Sequence, residues 1–279
     1  MKIDLHLHTT ASDGRLSPEE VVQLAVERGL EVIAITDHDS VAGITAAVKA
    51  AESFPPLKVI PGVEINTDIP DGEVHILGYF IDYRSPELRL TLRHLRQDRR
   101  RRARRIRAKL AQLGIEVSWE RVKELAAGGS IGRPHIAQAM LEQGYISSLQ
   151  EAFNKYIGRH GPAYVERARL SPVKAVKVVA KAGGLPVLGH PAGIDGLEEL
   201  LEQLKAVGLV GLEAYYNGYG KRAVKFLVDI ADKHGLITTG GSDFHGFGSG
   251  GETLVGGIDV PSVCLEQLVA RHGNPGLGW

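Results

Sequence analysis

Two histidines two residues apart, His6 and His8, open the chain, and Asp13 follows after a short polar turn. The same residue types recur downstream in small groups: Thr36-Asp-His38, Gly62-Val-Glu64, His75, Gly189-His190-Pro191 and Asp243-Phe-His245. Imidazole and carboxylate without thiolate form a donor set for Zn²⁺, Mn²⁺ or Fe²⁺, and one too rich in nitrogen for Ca²⁺. A lone histidine near a strand end is usually a hydrogen-bonded structural residue. Here six of the eleven histidines fall at such positions, together with several acids. Burying them without a cation would leave large desolvation costs. At about four to six donors per ion, such a set implies two or three metals and a bridging carboxylate. Glu64 is the candidate bridge, because Gly62 ahead of it lets the backbone approach closely.

The elements that must position these groups alternate. Strands are expected at Ile3–Leu7, Val32–Thr36, Lys58–Ile65, Glu73–Ile81, Pro186–Leu188, Val210–Tyr215 and Leu236–Thr239. Pro70-Asp-Gly72 reads as a hairpin-like turn. Helices are expected at Pro18–Arg28, with Ser17 as N-cap, and at Gly43–Ser53, Pro172–Ala182, Leu197–Ala206 and Lys221–His234. From Pro86 to Gly161 the pattern is helical throughout. Strand–helix alternation predicts an α/β fold with a parallel sheet or barrel. The C-terminal strand ends of a parallel barrel share one face, where a site can be built. The expected division is a barrel from residues 1–85 and 162–279, interrupted by a helical insertion, 86–161.

Bulk properties narrow the classes. The 279 residues carry zero formal net charge, so no global field recruits nucleic acid or membrane. A single cysteine, Cys264, removes disulfide frameworks and cysteine-based zinc sites. The N-terminus has His and Asp where a leader would have an apolar core, and no stretch reaches the length of a membrane span. The expectation is a soluble, cytoplasmic protein with no membrane partner. The sequence leaves the oligomeric state open.

In order and spacing, His6-x-His8, Asp13, Thr36-Asp-His38, Gly62-Val-Glu64, His75, His190-Pro and Asp243-x-His245 resemble the polymerase and histidinol phosphatase (PHP) family of metal-dependent phosphoesterases. The resemblance spans almost the whole chain. It implies a distorted (β/α)7 barrel with a trinuclear metal centre. By the same resemblance, His6, His8, Glu64 and Asp243 hold one metal. Asp13, His38 and His245 hold a second, and Glu64, His75 and His190 a third. Manganese is the first expectation, with zinc or iron as alternatives.

A second cluster, Ser130-Ile-Gly-Arg-Pro-His135, lies in the insertion, with a helix expected at Pro134–Gln143. Arg133 offers a planar fork for phosphate oxygens, and a helix start offers free N–H groups. The Gly132-Arg-Pro-His135 run, with Gly144-Tyr and Glu151-Ala-Phe153, resembles the PHP subgroup that dephosphorylates nucleoside 3′,5′-bisphosphates and trims short RNA. In that subgroup the insertion is a lid that binds phosphate through this Arg and His. Histidinol-phosphate-type activity ranks lower, because those enzymes lack the lid. The expected substrate is a small phosphorylated nucleotide, or a short RNA cut from its 5′ end. Asp243, His245 and His190, with Arg133, are the residues expected at the reacting phosphate. Ser130, Arg133, His135, Tyr216 and Asn217 are expected to bind substrate. The leaving-group proton is expected from a bound water or His135.

Finally, Arg99-Arg-Arg-Arg102, Arg104, Arg105 and Arg107 invite a nucleic-acid reading. Leu92, Leu95, Ala103, Ile106, Leu110 and Leu113 recur at helical spacing and predict one buried stripe. The arginines are therefore expected on a solvated or salt-bridged face, with an electrostatic funnel for an oligonucleotide as the alternative.

Overall fold

A computed structural model describes residues 1–69, 72–166, 170–248 and 253–273. The chain begins β1 (Ile3–Leu7), α1 (Pro18–Glu27), β2 (Val32–Ile35), α2 (Ile44–Ala51), β3 (Lys58–Ile69) and β4 (Gly72–Tyr79). Ser17 caps α1 through a reciprocal pair with Glu20. A helical stretch follows: α3 (Pro86–Gln112), α4 (Trp119–Leu125), α5 (Arg133–Glu142), α6 (Leu149–Ala152) and a π-helical turn, Phe153–Ile157. Alternation resumes with α7 (Pro172–Lys181), β5 (Leu185–Gly189), α8 (Leu197–Lys205), β6 (Gly211–Tyr216), α9 (Lys221–His234), β7 (Ile237–Gly241) and α10 (Ser262–His272).

The seven strands pair in chain order. β7 returns to β1 and nearly closes a barrel: His8 N donates to Phe244 O at 3.1 Å, and Asp243 N to His6 O at 2.9 Å. Gly241 makes this seam possible, since a Cβ there would lie 2.5 Å from His6 Cβ. The parallel arrangement is broken at one strand, the one that the expected hairpin-like turn at Pro70-Asp-Gly72 introduces. β4 runs antiparallel to both β3 and β5. The link from β3 is far too short for a crossover, so only an antiparallel hairpin can form. Its turn, at Pro70 and Asp71, lies outside the described residues. The inversion explains why His75 sits early in β4. An antiparallel strand presents its N-terminal half where its neighbours present their C-terminal ends, and His75 pairs with Gly189 beside His190.

The largest apolar cluster packs α1, α2, α7, α8 and α9 against the strands, and another gathers around α10 and Cys264. A separate cluster lies within residues 103–165. α3 serves two of these: Leu88, Leu92 and Leu95 face the barrel core, while Ala103, Ile106 and Leu110 face the helical one. Leu113, expected in the stripe, is exposed beyond the end of α3. Among the described residues, no helix is long and apolar enough to cross a membrane.

Candidate metal centre and phosphate cavity

On β1, His6 and His8 alternate with Leu5 and Leu7, so their imidazoles share a face, and both are fully buried. The barrel brings the other groups to them. His8 Nε2 lies 3.0 Å from Asp243 Oδ1 and 3.3 Å from Glu64 Oε2, and His6 Nε2 lies 3.3 and 3.4 Å from the same two oxygens. His38 Nδ1 is 2.7 Å from Glu64 Oε2. On the other oxygen, Glu64 Oε1, His75 Nδ1 converges at 2.6 Å and His190 Nε2 at 3.1 Å. His245 Nε2 is 3.4 Å from Asp13 Oδ1, and its ring stacks on His8 with centroids 4.1 Å apart. Donor atoms within 4.8 Å of one another form three groups: His6, His8, Glu64 and Asp243; His8, Asp13, His38 and His245; and His38, Glu64 and His75. Glu64 is the carboxylate whose two oxygens face different histidines. Gly62 does permit a close approach, but to β2: a Cβ there would lie 2.8 Å from Ile35 O.

The donor set fits divalent cations. His6 Nε2, His8 Nε2, Asp13 Oδ1, Glu64 Oε2 and Asp243 Oδ1 are buried without a hydrogen-bond partner among the described residues. Leaving such atoms unsatisfied is costly, and cations bound in these groups would satisfy them. Burial works against charge on Glu64, Asp243 and Asp13. Even so, the surrounding imidazoles hold each well below the usual carboxylate range: His38, His75 and His6 for Glu64, His6 and His245 for Asp243, His38 and His245 for Asp13. Conversely, burial opposes protonation of His245, yet Asp243 and Asp13 raise its pKa to about 10. Asp39, His190 and Asp243 sit at positive φ, a strained conformation for non-glycine residues that concentrates at functional sites.

Supporting groups hold the donors in place. Glu213, fully buried in β6, accepts from His6 Nδ1 at 2.9 Å and from the His190 backbone N–H at 2.9 Å. His6 thus keeps its proton on Nδ1 and turns Nε2 towards Glu64 and Asp243. Asp37 accepts from Thr9 N, Thr9 Oγ1 and Ser12 Oγ, fixing the loop that carries Asp13. Asp4 accepts from Ser242 N and anchors the segment before Asp243. Tyr216 Oη donates to Asp243 Oδ2 at 2.6 Å, so its hydroxyl orients that carboxylate. Asn217 is likewise engaged within its own surroundings, its amide oxygen accepting from Thr253 Oγ1.

Beside the metal cluster, α3 and α5 enclose a cavity of about 130 Å³. Asp13, His38 and His75 line one side of it, and Arg99, Arg102 and Arg133 also line it. Pockets for whole drug-sized ligands measure about 300–1,000 Å³, so this one takes a single small group. Arg133 donates to Glu73 Oε2 at 2.7 Å and stands over the Phe153 ring; Arg102 donates to Val165 O and reaches the other oxygen of Glu73. Glu73 and His190 also line a larger neighbouring cleft of about 560 Å³.

The reading of the arginine run is corrected at Arg99 and Arg102, whereas Arg100, Arg101, Arg104, Arg105 and Arg107 are exposed as expected. Arg99 is buried and bonds Asp39 Oδ2 at 2.5 Å, Arg96 Nη1 bonds the Asp39 carbonyl at 2.7 Å, and Arg102 points into the cavity. The hydrophobic stripe carried the signal. Between Leu95 and Ala103 the helical period leaves position 99 facing inward, and an arginine stands in that gap. α5 starts at Arg133, one residue earlier than expected, with Gly132 as N-cap. The Gly132 N–H donates to His135 Nδ1 at 2.9 Å, which leaves the ring proton on Nε2. Burial pushes the His135 pKa down to about 4, which favours its neutral ring near pH 7. Ser130 Oγ is buried without a hydrogen-bond partner among the described residues.

The PHP domain model matches residues 4–166. A 3′,5′-nucleoside bisphosphate phosphatase of Chromobacterium violaceum is 33% identical, over 98% of this chain and 98% of its own length. The 5′-3′ exoribonuclease Rnm of Salmonella typhimurium is 36% identical, over 87% of this chain and 84% of its own. A solved chain from Bifidobacterium adolescentis, provisionally described as a metal-dependent phosphoesterase, superposes with a TM-score of 0.87 at 29% identity, covering 99% of this chain and 98% of that one. The chain belongs to the PHP domain family. It is a hydrolase of phosphoric esters built on a metal-dependent phosphoesterase fold.

Proposed function

We propose that the protein removes the 3′-phosphate of nucleoside 3′,5′-bisphosphates to give nucleoside 5′-monophosphates. The observation that carries this is the 130 Å³ cavity, which brings arginines together with the His and carboxylate cluster in a space sized for one phosphoryl group. The name and full-length similarity of the Chromobacterium relative support it. Two or three divalent cations, Mn²⁺ first and Zn²⁺ or Fe²⁺ as alternatives, would be held by His6, His8, Glu64 and Asp243, by Asp13, His38 and His245 with His8, and by Glu64, His75 and His190. Such cations lower the pKa of coordinated water and neutralise phosphoryl charge.

The chain's own groups do the rest. Arg133 leaves Glu73 or shares its fork between Glu73 and a phosphoryl oxygen, and Arg102 adds a second positive charge to the same cavity. Ser130 Oγ and the Nε2–H of neutral His135 serve as further donors near the start of α5. Residues 86–161 act as a lid on the barrel. Because α3 and α5 both line the cavity, closing it excludes water from the reacting phosphate. The nucleoside occupies the adjoining cleft at His190 and Glu73. Nucleotide substrates place the reaction in the cytoplasm.

A second reading, stepwise 5′→3′ removal of mononucleotides from short RNA, is favoured by the Salmonella relative and by the cationic outer face of α3. Hydrolysis of histidinol-phosphate-type esters ranks below both. Phosphate release from a panel of nucleoside bisphosphates, monophosphates and short RNAs, with Mn²⁺ and with chelator, tests the proposal. Manganese-dependent release from 3′,5′-bisphosphates supports it. Turnover of none of these esters would reject it.

A further inference from the structure

The outer face of α3 has a use that catalysis on a mononucleotide does not need. Arg89, Arg93, Arg96 and Arg100 recur at spacings of four, three and four residues, which puts all four on one side of the helix. Arg93 and Arg96 line two adjoining clefts of about 430 and 420 Å³. Arg100 and Lys123 complete the first, and Arg84 and Arg89 the second. Among the described residues, no acidic side chain lines either cleft. Arg89, Arg93 and Arg100 are exposed and make no ion pair among the described residues. Ile131 lines both the first cleft and the phosphate cavity, so the two adjoin.

The charges crowd one another. Burial lowers the proton affinity of the Arg96 guanidinium, and Arg93 and Arg89 lower it further against the pull of Asp39. Like charges at helical i,i+4 spacing destabilise a helix. With the chain neutral overall, this face is a local concentration of positive charge, not part of a global excess.

We infer that this face is a track for the phosphodiester backbone of a single-stranded oligonucleotide whose terminal phosphate lies in the cavity. Arg89 to Arg100 covers eleven residue rises, or about 16 Å, which is several phosphates of one strand. A duplex does not suit the path, because it ends in a cavity that takes one phosphoryl group. This inference rests on the proposed phosphoesterase site for the position of the terminus, but the track can be measured separately.

The test compares the wild-type protein with the triple variant Arg89→Gln/Arg93→Gln/Arg100→Gln, both loaded with Mn²⁺. Fluorescence anisotropy reads binding of a labelled RNA hexamer with phosphorothioates at its first two linkages, over a salt series. Kinetics on a nucleoside 3′,5′-bisphosphate read the cavity alone. The triple variant should bind the hexamer at least tenfold more weakly at low salt. The slope of log affinity against log salt should shrink by about 2, at about 0.7 per lost contact. KM for the bisphosphate should stay within twofold. Unchanged hexamer affinity and slope would overturn the track, as would an equal loss on the bisphosphate. So would a variant that keeps RNA affinity but loses affinity for phosphatidylserine vesicles. Hexamer binding lost in the variant, with no bisphosphate turnover by the wild type, would instead uphold the track and reject the proposed activity.

Discussion

Glu213→Gln isolates the role of a residue that touches no substrate. Glu213 is fully buried, and its two oxygens accept from His6 Nδ1 and from the His190 N–H, both at 2.9 Å. Glutamine keeps the shape but offers one carbonyl and one NH₂, so either His6 or His190 then faces a donor. Losing one buried hydrogen bond to a charged group costs about 1.5–3 kcal/mol. That corresponds to about ten- to hundredfold in metal affinity, the usual loss when a group supporting a ligand is removed. The cost should fall on the cations, because His6 Nε2 and His190 Nε2 both aim at Glu64. Titration of chelator-stripped protein with Mn²⁺ by calorimetry, with circular dichroism as a check on folding, measures this. The variant should remain folded, bind Mn²⁺ about ten- to hundredfold more weakly and regain much of its activity at high Mn²⁺. A folded variant with wild-type affinity would refute the orienting role.

Three other outcomes follow from the same geometry. Arg133→Ala should raise KM by about ten- to hundredfold with a smaller change in kcat, since it deletes a charge-assisted phosphate contact made before chemistry; steady-state kinetics on a bisphosphate decide it. Arg99→Met should lower stability by roughly 3–5 kcal/mol in chemical denaturation, because it removes the guanidinium paired with the buried Asp39 carboxylate; a loss under 1 kcal/mol would contradict the pairing. In chelator, the protein should lose stability as pH rises from about 6.5 towards 10. His245 has a raised folded-state pKa, so its contribution is complete below 6.5 and disappears as pH climbs through about 10. The depressed Asp13, Glu64 and Asp243 act oppositely, losing their contribution as pH falls below about 4. Thermal melts against pH should show the alkaline decline, and His245→Gln should lessen it without abolishing it, since the pKa values of His6, His8 and His190 are raised as well.

Most donor residues were legible because they sit at or just beyond the end of an apolar strand, where a buried imidazole or carboxylate has few explanations; Glu64 lies mid-way along β3 and His75 early in β4. The seven strands were legible for the same reason, as short β-branched runs between helices. Orientation was legible only at β4, where the hairpin-like Pro70-Asp-Gly72 link implies an antiparallel partner for β3; the antiparallel pairing of β4 with β5 has no such local signal. Glu213 was missed because it lies inside a strand instead of at its end. Its signal is a lone carboxylate within Gly211-Leu-Glu-Ala-Tyr215, which burial on both faces obliges to find donors. Arg99 and Arg102 were hidden among neighbours of the same type, since composition cannot distinguish an arginine that faces solvent from one that fills a gap in an apolar stripe. Tyr216 and Asn217 were placed near the site by their strand, but their hydrogen-bond partners, Asp243 and Thr253, are remote in sequence.

The most direct measurement is anomalous diffraction at the manganese edge from crystals grown with Mn²⁺. At least two peaks should appear, one between His6, His8, Glu64 and Asp243 and another between Asp13, His38 and His245. A well-ordered map without anomalous density among these side chains would contradict the metal centre and the chemistry built upon it.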